Sequence, residues 1–357
     1  MIAVAEETLT LTADRGDARR RLDLVLRRHL GRLSTTRTCL QTWIETGRVS
    51  VNGRIVCRVA ARTAHGDVVT VMLPRPSEGG DTVDDSRTSS GPPLSILYED
   101  EHLLAVDKPA GVVVHPSYRQ LVGTLMHGLR EHGREWPDGT RPSLVGRLDQ
   151  FTSGVVVVAK TAAVHAALQR ALASGRGAKD YLAVVYGRVR VGHGQVALPL
   201  ASDPSDRRRV VALEAHDPDG AASLTLYARM ARAAAPSTGL ALLRCRLVTG
   251  RKHQIRVHLA ARGWPLVGDA VYGGPLWSQV RDATLSAALK AFPRQALHAW
   301  RVAFTHPATG SRLLLVAPVP SDLRSLLRVS GLSYGLDRAL TNDGGRAEPS
   351  LMPLPRC

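Results

Sequence analysis

The feature that most limits how this chain can fold is the run PRPSEGGDTVDDSRTSSGPP, from Pro74 to Pro93, in which Val83 is the one aliphatic residue. Such a polar, acidic, Gly/Ser/Pro-rich stretch cannot bury enough surface to offset the entropy of ordering it. A core running continuously through it is therefore excluded. The sequence reads as two folding units joined by a linker over 74–93, whose reach is on the order of 25 Å. With 357 residues, 44% of them hydrophobic, the chain can form two globular domains with proper cores.

Ahead of the linker, residues 1–18 read as an extension and residues 19–73 as a compact unit. In it, LDLVLRRHL carries apolar residues at helical spacing, and TRTCLQTWIETG predicts a second helix. Thr36 or Thr38 can cap that helix and Gly47 can end it. VSVNGRIV predicts two strands around an Asn-Gly turn, and HGDVVTVML a further strand. Between Arg19 and Arg62 there are eleven arginines against two acids, within a chain of net charge +16. A solvated face can be basic, but an excess this concentrated favours a polyanionic partner, and nucleic acid is the commonest in a cell.

The four cysteines, Cys39, Cys57, Cys245 and Cys357, show neither zinc-ligand spacing nor a disulfide framework. Reduced thiols, an early acidic N-terminus and the lack of a bilayer-length apolar run fit a cytoplasmic protein.

After the linker, residues 94–319 read as a larger α+β domain. GVVVVAKT is a buried-strand run, AAVHAALQRALASG an amphipathic helix closing on Gly175, and DYLAVVYGRV and LALLRCRLVTG alternate like strands. RKHQIRVHLAARG predicts a helix capped by Thr249 and stopped by Gly263. Residues 320–357 read as a partly disordered tail.

Three places could carry chemistry. Arg147 and Asp149 flank Leu148 just before a Thr152-Ser153-Gly154 turn and four valines. Charges at the mouth of an apolar core are paired, solvated in a cleft, or employed. Arg251, Lys252 and His253 fall in the first predicted turn of the RKHQIRVHLAARG helix, where the macrodipole disfavours cations unless an anion docks. Lys252 and Arg256, four residues apart, would share a face. Tyr181 would point to one side of its strand with Ala183 and Val185. Each has an ordinary structural explanation alone: an ion pair, a basic surface helix, half-buried packing.

Together they resemble the RluA family of pseudouridine synthases. The resemblance rests on Arg147-Leu148-Asp149-x-x-Thr152-Ser153-Gly154, Lys179-x-Tyr181-x-Ala183-x-Val185-x-Gly187 and Gly250-Arg251-x-His253-Gln254-Ile255-Arg256-x-His258. Gly268-Asp269-x-x-Tyr272-Gly273, Leu297-His298-Ala299 and DKPAGVVVHP add to it. It covers nearly all of residues 94–318. Residues 20–73 resemble the small RNA-binding domain named after ribosomal small-subunit protein S-four.

The resemblance implies a mixed, mainly antiparallel sheet preceded by a small α/β-hairpin domain, with no metal or redox cofactor. It implies an RNA substrate, more often large-subunit (23S) ribosomal RNA than transfer RNA, and a monomer is expected. Asp149 would be the reacting carboxylate, as nucleophile toward the sugar or as a base. Arg256 would ion-pair with it, Tyr181 would line the uracil pocket, and Arg147 would enter the space left by the everted nucleotide. Arg37, Arg48, Arg54, Arg251 and Lys252 are the expected RNA-binding cations.

Gly146 stands where the family usually has histidine, Gln150 and Phe151 replace a pair that is usually charged, and His127 stands where asparagine is frequent. These departures leave room for a non-catalytic RNA-binding protein on the same scaffold. A glycosidic hydrolase is a poorer fit, since the motifs supply one acid where two are generally needed.

Overall fold

The computed structural model describes residues 8–30, 37–73, 91–115, 123–206, 208–233 and 239–342. Most of the 74–93 linker lies outside them. The chain divides into two compact units, residues 1–88 with 117–121, and residues 89–116 with 122–357.

In the first unit, four strands pair in the order β1 (Thr8–Thr12), β4 (Val68–Met72), β2 (Val49–Val51), β3 (Arg54–Ile55). Helices Leu22–His29 and Arg37–Glu45 pack on it, and Leu22, Leu26, Leu40, Ile44, Val49, Val69 and Val71 form the core. The hairpin turn is built as expected: Asn52 and Gly53 both have positive φ, 52° and 77°, as a two-residue turn with right-handed strand twist requires. Part of the expected extension is not outside the fold. Thr8–Thr12 pairs along the whole of β4, from Thr8 opposite Met72 to Thr12 opposite Val68. The alternating TLTLT segment suits a half-buried strand and covers the β4 edge. Cap residue Thr36 and the side chains of Arg37 and Thr38 lie outside the description.

The second unit is α+β. Ten of its twelve described strands form one sheet whose main order is β10 (His193–Val196), β13 (Thr225–Arg232), β14 (Leu240–Leu247), β9 (Ala178–Tyr186), β15 (Leu297–Thr305), β8 (Ser153–Ala159), β6 (Leu103–Lys108), β5 (Ile96–Glu99), and β11 (Leu200–Ser202) pairs with β12 (Val210–Ala212) apart from it. β16 (Arg312–Val316) pairs with β15, and β7 (Ser143–Leu144) with β8. Every described pairing is antiparallel except β15 with β8, where His298 faces Ser153 and Ala299 faces Gly154. Gly154 has φ of 115°, and a Cβ there would stand 2.1 Å from the Ala299 carbonyl oxygen, so only glycine permits this approach.

β9 is buried on both faces. Leu182, Val184 and Tyr186 enter a core with Trp300 and helix Ala283–Ala291. Tyr181, Ala183 and Val185 enter the opposite core with Ile255 and Leu259 of helix Gln254–Ala261. The second face carries the candidate site.

The first part of the tail expected from residue 320 to be partly disordered is helical. Helix Ser321–Val329 buries Leu323, Leu326 and Leu327 in the Trp300 core, and Leu332 and Leu336 follow them there. A second helix runs Ser333–Asn342. Leu326 and Leu327 follow Leu323 by three and four residues and Leu336 follows Leu332 by four, enough for one narrow buried stripe.

Candidate active site

Residues 146–152 are fastened mostly through their backbone. The Lys108 ammonium, fully buried, donates to the carbonyls of Pro109 (2.8 Å), Val112 (2.9 Å) and Gln150 (2.9 Å). Gly111 N–H donates to the Gln150 carbonyl, and the Gln150 side-chain amide to the Gly111 carbonyl. Arg294 donates to the Phe151 carbonyl, and Gln295 to Thr152 Oγ1. The Asp149 side chain is left free to point elsewhere.

It points at Arg256. Arg256 Nη1 is 3.0 Å from Asp149 Oδ2. The other edge of the guanidinium is held by Asp269, with Nε donating at 2.7 Å and Nη2 at 2.9 Å. Asp269 is almost fully buried and also accepts from the backbone N–H of Val271 and Tyr272. Burial opposes ionisation of both partners. The Asp269–Arg256 hydrogen bonds and charges outweigh it, raising the guanidinium and lowering the carboxyl below its usual range. Arg256 is thus a charged group fixed from behind and aimed at Asp149, which is a quarter exposed.

Tyr181 packs beside this pair. Burial, and then the charge of Asp149, push its phenol up, so it stays neutral. His253, at φ 56° in the left-handed region, hydrogen-bonds the Tyr272 hydroxyl through Nδ1 at 2.8 Å, while its Nε2 lies 3.9 Å from Asp149 Oδ1. Burial lowers the pKa of this imidazole, and Arg256 and Lys252 add to that against the opposing charges of Asp149 and Asp269. A non-glycine residue in that conformation is costly and is characteristic of functional sites.

A cavity of about 600 Å³ opens next to Tyr181 and is also lined by Arg147, Lys179 and Arg251. Arg147 is exposed and has no hydrogen bond or ion pair among the described residues. The two charges that flank Leu148 therefore do not pair with each other.

The basic segment before Gln254 departs from expectation. The helix begins at Gln254, so Arg251, Lys252 and His253 precede it, and Lys252 shares no helical face with Arg256. Thr249 is not the cap. It donates to Gln254 Oε1, which also accepts the Arg251 N–H, so a side chain inside the helix ties the entry turn. Arg251 is exposed and Lys252 Nζ donates to the Arg208 carbonyl at 2.9 Å. Arg48 and Arg54 are exposed on the first unit, without side-chain partners among the described residues. In that unit Asp14, Asp17 and His29 lie close together, but Arg28 occupies both carboxylates at 2.8 Å.

Lys108, His253 and Asp269 were not among the expected site residues. All three sit inside motifs whose resemblance had been noted, and His253 follows two cations in sequence. Lys108 and Asp269 act only through a second residue, which spacing does not reveal. His127, a departure from the family, has a local explanation: its Nδ1 is 2.8 Å from Thr124 Oγ1 at the start of helix Leu125–His132.

Residues 102–261 match the family model described as RNA pseudouridylate synthase. The chain is 38% identical over 323 residues to ribosomal large subunit pseudouridine synthase D of Nitrosomonas europaea, covering 90% of this chain and 88% of that protein. It is 40% identical over 320 residues to the protein of the same name from Xylella fastidiosa, covering 88% and 90%. The chain belongs to the RluA family of RNA pseudouridine synthases. The human RNA pseudouridylate synthase domain containing 1 shares the fold, with a TM-score of 0.52 at 23% identity over 72% of this chain and 97% of that one.

The synthase is therefore an isomerase that converts uridine to pseudouridine in RNA. The N1–C1′ bond is exchanged for a C5–C1′ bond, so C5 loses its hydrogen and N1 gains one. Among the described residues, no helix of the synthase is long and apolar enough to cross a membrane.

Proposed function

We propose that this synthase modifies uridines of large-subunit ribosomal RNA in the cytoplasm, acting as a monomer, with Asp149 as the reacting carboxylate. The observation that carries the reading is the Asp149–Arg256–Asp269 array: one carboxylate is partly exposed and the other, buried and fully engaged, holds the arginine. The open carboxylate can attack C1′ or remove a sugar proton, and both routes use the same placement. Tyr181 lies against the uracil, and Arg147, without a partner among the described residues, fills the gap left by the everted nucleotide. The curated relatives named for the large ribosomal subunit support the choice of RNA.

The first unit is the RNA-binding module, resembling the S-four domain. Arg48, Arg54 and Arg37 contact the backbone there, as Arg251 and Lys252 do on the catalytic unit. Residues 1–18, 19–73, 74–93 and 94–319 act as strand-bearing extension, module, linker and catalytic domain.

The test is pseudouridine mapping of ribosomal and transfer RNA from cells with the gene, without it, and with only Asp149→Asn. Sites in 23S RNA that vanish in the last two strains, with RNA binding of the variant intact, are the expected result. Pseudouridine persisting in the Asp149→Asn strain would overturn the assignment. Loss confined to transfer RNA would replace the substrate.

A further inference from the structure

The cavity beside Tyr181 is of a size that holds a ligand larger than one pyrimidine ring. Its charge has one sign. Arg147, Lys179 and Arg251 line it together with His115, and no carboxylate belongs to its described lining. Lys179 is the least expected of these. It lies two residues before Tyr181 on β9 and so on the same face of the strand. Val155, Val157, Leu172 and Val302 line the same cavity, and Lys179 has no hydrogen bond or ion pair among the described residues. Burial lowers its pKa, with no anion to offset it. Lys179 is itself partly exposed, so an ammonium without a protein acceptor stands where a ligand's anion can reach it.

Gly146 explains why the ammonium can be reached. A Cβ at this position would stand 3.3 Å from Lys179 Nζ. The Gly146 φ is not positive, so its backbone does not itself require glycine. What the missing side chain provides is space over the lysine.

We propose that Lys179, with Arg147 and Arg251, forms an anion subsite that takes a phosphodiester of the RNA next to the target uridine, and that Gly146 keeps this subsite open. The proposal rests on the reading of Tyr181 as the wall of the uracil pocket. Lys179 and Tyr181 are about 6.6 Å apart along the strand, a separation that one nucleotide spans from base to phosphate.

The experiment uses the full-length synthase and a ribosomal RNA fragment bearing the target uridine. KM is followed against salt concentration for wild type, Lys179→Met, Lys179→Arg and Gly146→Leu. Lys179→Met raises KM about tenfold and flattens the log KM against log salt plot by about 0.7, as loss of one phosphate contact requires. Lys179→Arg restores the slope. Gly146→Leu, which leaves the charge in place, raises KM to a similar extent. In a scan of single uncharged methylphosphonate linkages, wild type is impaired at one linkage flanking the target, and Lys179→Met is indifferent there. A Lys179→Met enzyme with wild-type slope and scan overturns the subsite, and so does one that loses only melting temperature and kcat. Pseudouridine formed at wild-type kcat by a Tyr181→Ala enzyme would overturn the reading of Tyr181 as the pocket wall, while a slope difference between wild type and Lys179→Met in direct RNA binding would leave the subsite standing.

Discussion

Asp269 is the sharpest place to test whether the array works as described. Asp269→Asn keeps the shape of the side chain and removes its charge. In the native arrangement Asp269 offers one oxygen to Arg256 Nε at 2.7 Å and the other to Nη2 at 2.9 Å, the latter shared with two backbone N–H groups. An amide has one oxygen for those donors and turns its own NH₂ against a guanidinium N–H. Breaking a fully buried pair costs roughly 3–5 kcal/mol, and the lower end applies because Asp149 still faces Arg256. For a unit of this size about 3 kcal/mol lowers Tm by roughly 6–12 °C. The guanidinium, no longer held from behind, can move toward Asp149. A displacement of about 1 Å at a reacting group costs on the order of a hundredfold in rate. Tritium release from RNA labelled at uridine C5 measures kcat and KM directly, because that hydrogen leaves in the reaction. Asp269→Asn should lower kcat with KM for RNA nearly unchanged, since Asp269 acts through Arg256. A Tm within about 1 °C of wild type and a kcat within about twofold would refute the array as the element that positions Asp149. A change in KM alone would make Asp269 an RNA contact.

Three further outcomes are expected. His298 is fully buried against Ser153, and burial holds its pKa down to about 4 from 6.5. The unfolded chain then binds the extra proton first, so stability falls as pH drops from 6.5 to 4, by up to about 3 kcal/mol. Melting curves of His298→Gln should show a shallower acid dependence across that window. Asp322→Ala removes the bidentate partner of Arg294 (2.7 and 3.0 Å), which also holds the Phe151 carbonyl; it should destabilise by about 1–3 kcal/mol in chemical denaturation and lower kcat more than it raises KM. Lys108→Met leaves three carbonyls without their donor. Burial pulls the lysine down to about 7, so from there toward pH 10 the wild type is progressively relieved of a charge that the unfolded chain still carries. The gap in Tm between wild type and variant should widen with rising pH.

What could be read in advance followed from local rules. Asn52-Gly53 announces its turn because only a few residues accept two successive positive φ angles. The alternation Tyr181, Ala183, Val185 announces a shared face because strand geometry has period two. The helix start at Gln254 was misplaced because the residues that fasten it, Thr249 and Arg251, meet the Gln254 side chain instead of capping from outside. The helices after Pro320 were missed for another reason. Leu323, Leu326 and Leu327 do fall at helical spacing, but their burial, with that of Leu332 and Leu336, depends on the Trp300 face brought to them by distant strands. Strand Thr8–Thr12 has its partner sixty residues away in β4, a pairing no local signal encodes.

The same contrast bears on how the site is built. Arg147 and Asp149 are legible as unusual because two charges stand at the entrance to four valines. What prevents them from neutralising each other is not visible there. It is supplied by Lys108, Gly111 and Arg294, which bind the Gln150 and Phe151 backbone and fix the direction of the chain between them. With the loop held through its carbonyls and the Gln150 and Thr152 side chains, the side chains of Arg147 and Asp149 take no part in fastening it. Asp149 is then available to Arg256, and Arg147 to the solvent-filled cleft. A positioned carboxylate beside a cation with no partner among the described residues follows from backbone capture by residues drawn from two separate stretches of the chain, 108–111 and 294. Changes at 147 and 149 should therefore alter chemistry with little change in melting temperature, while changes at 108 or 294 should alter both.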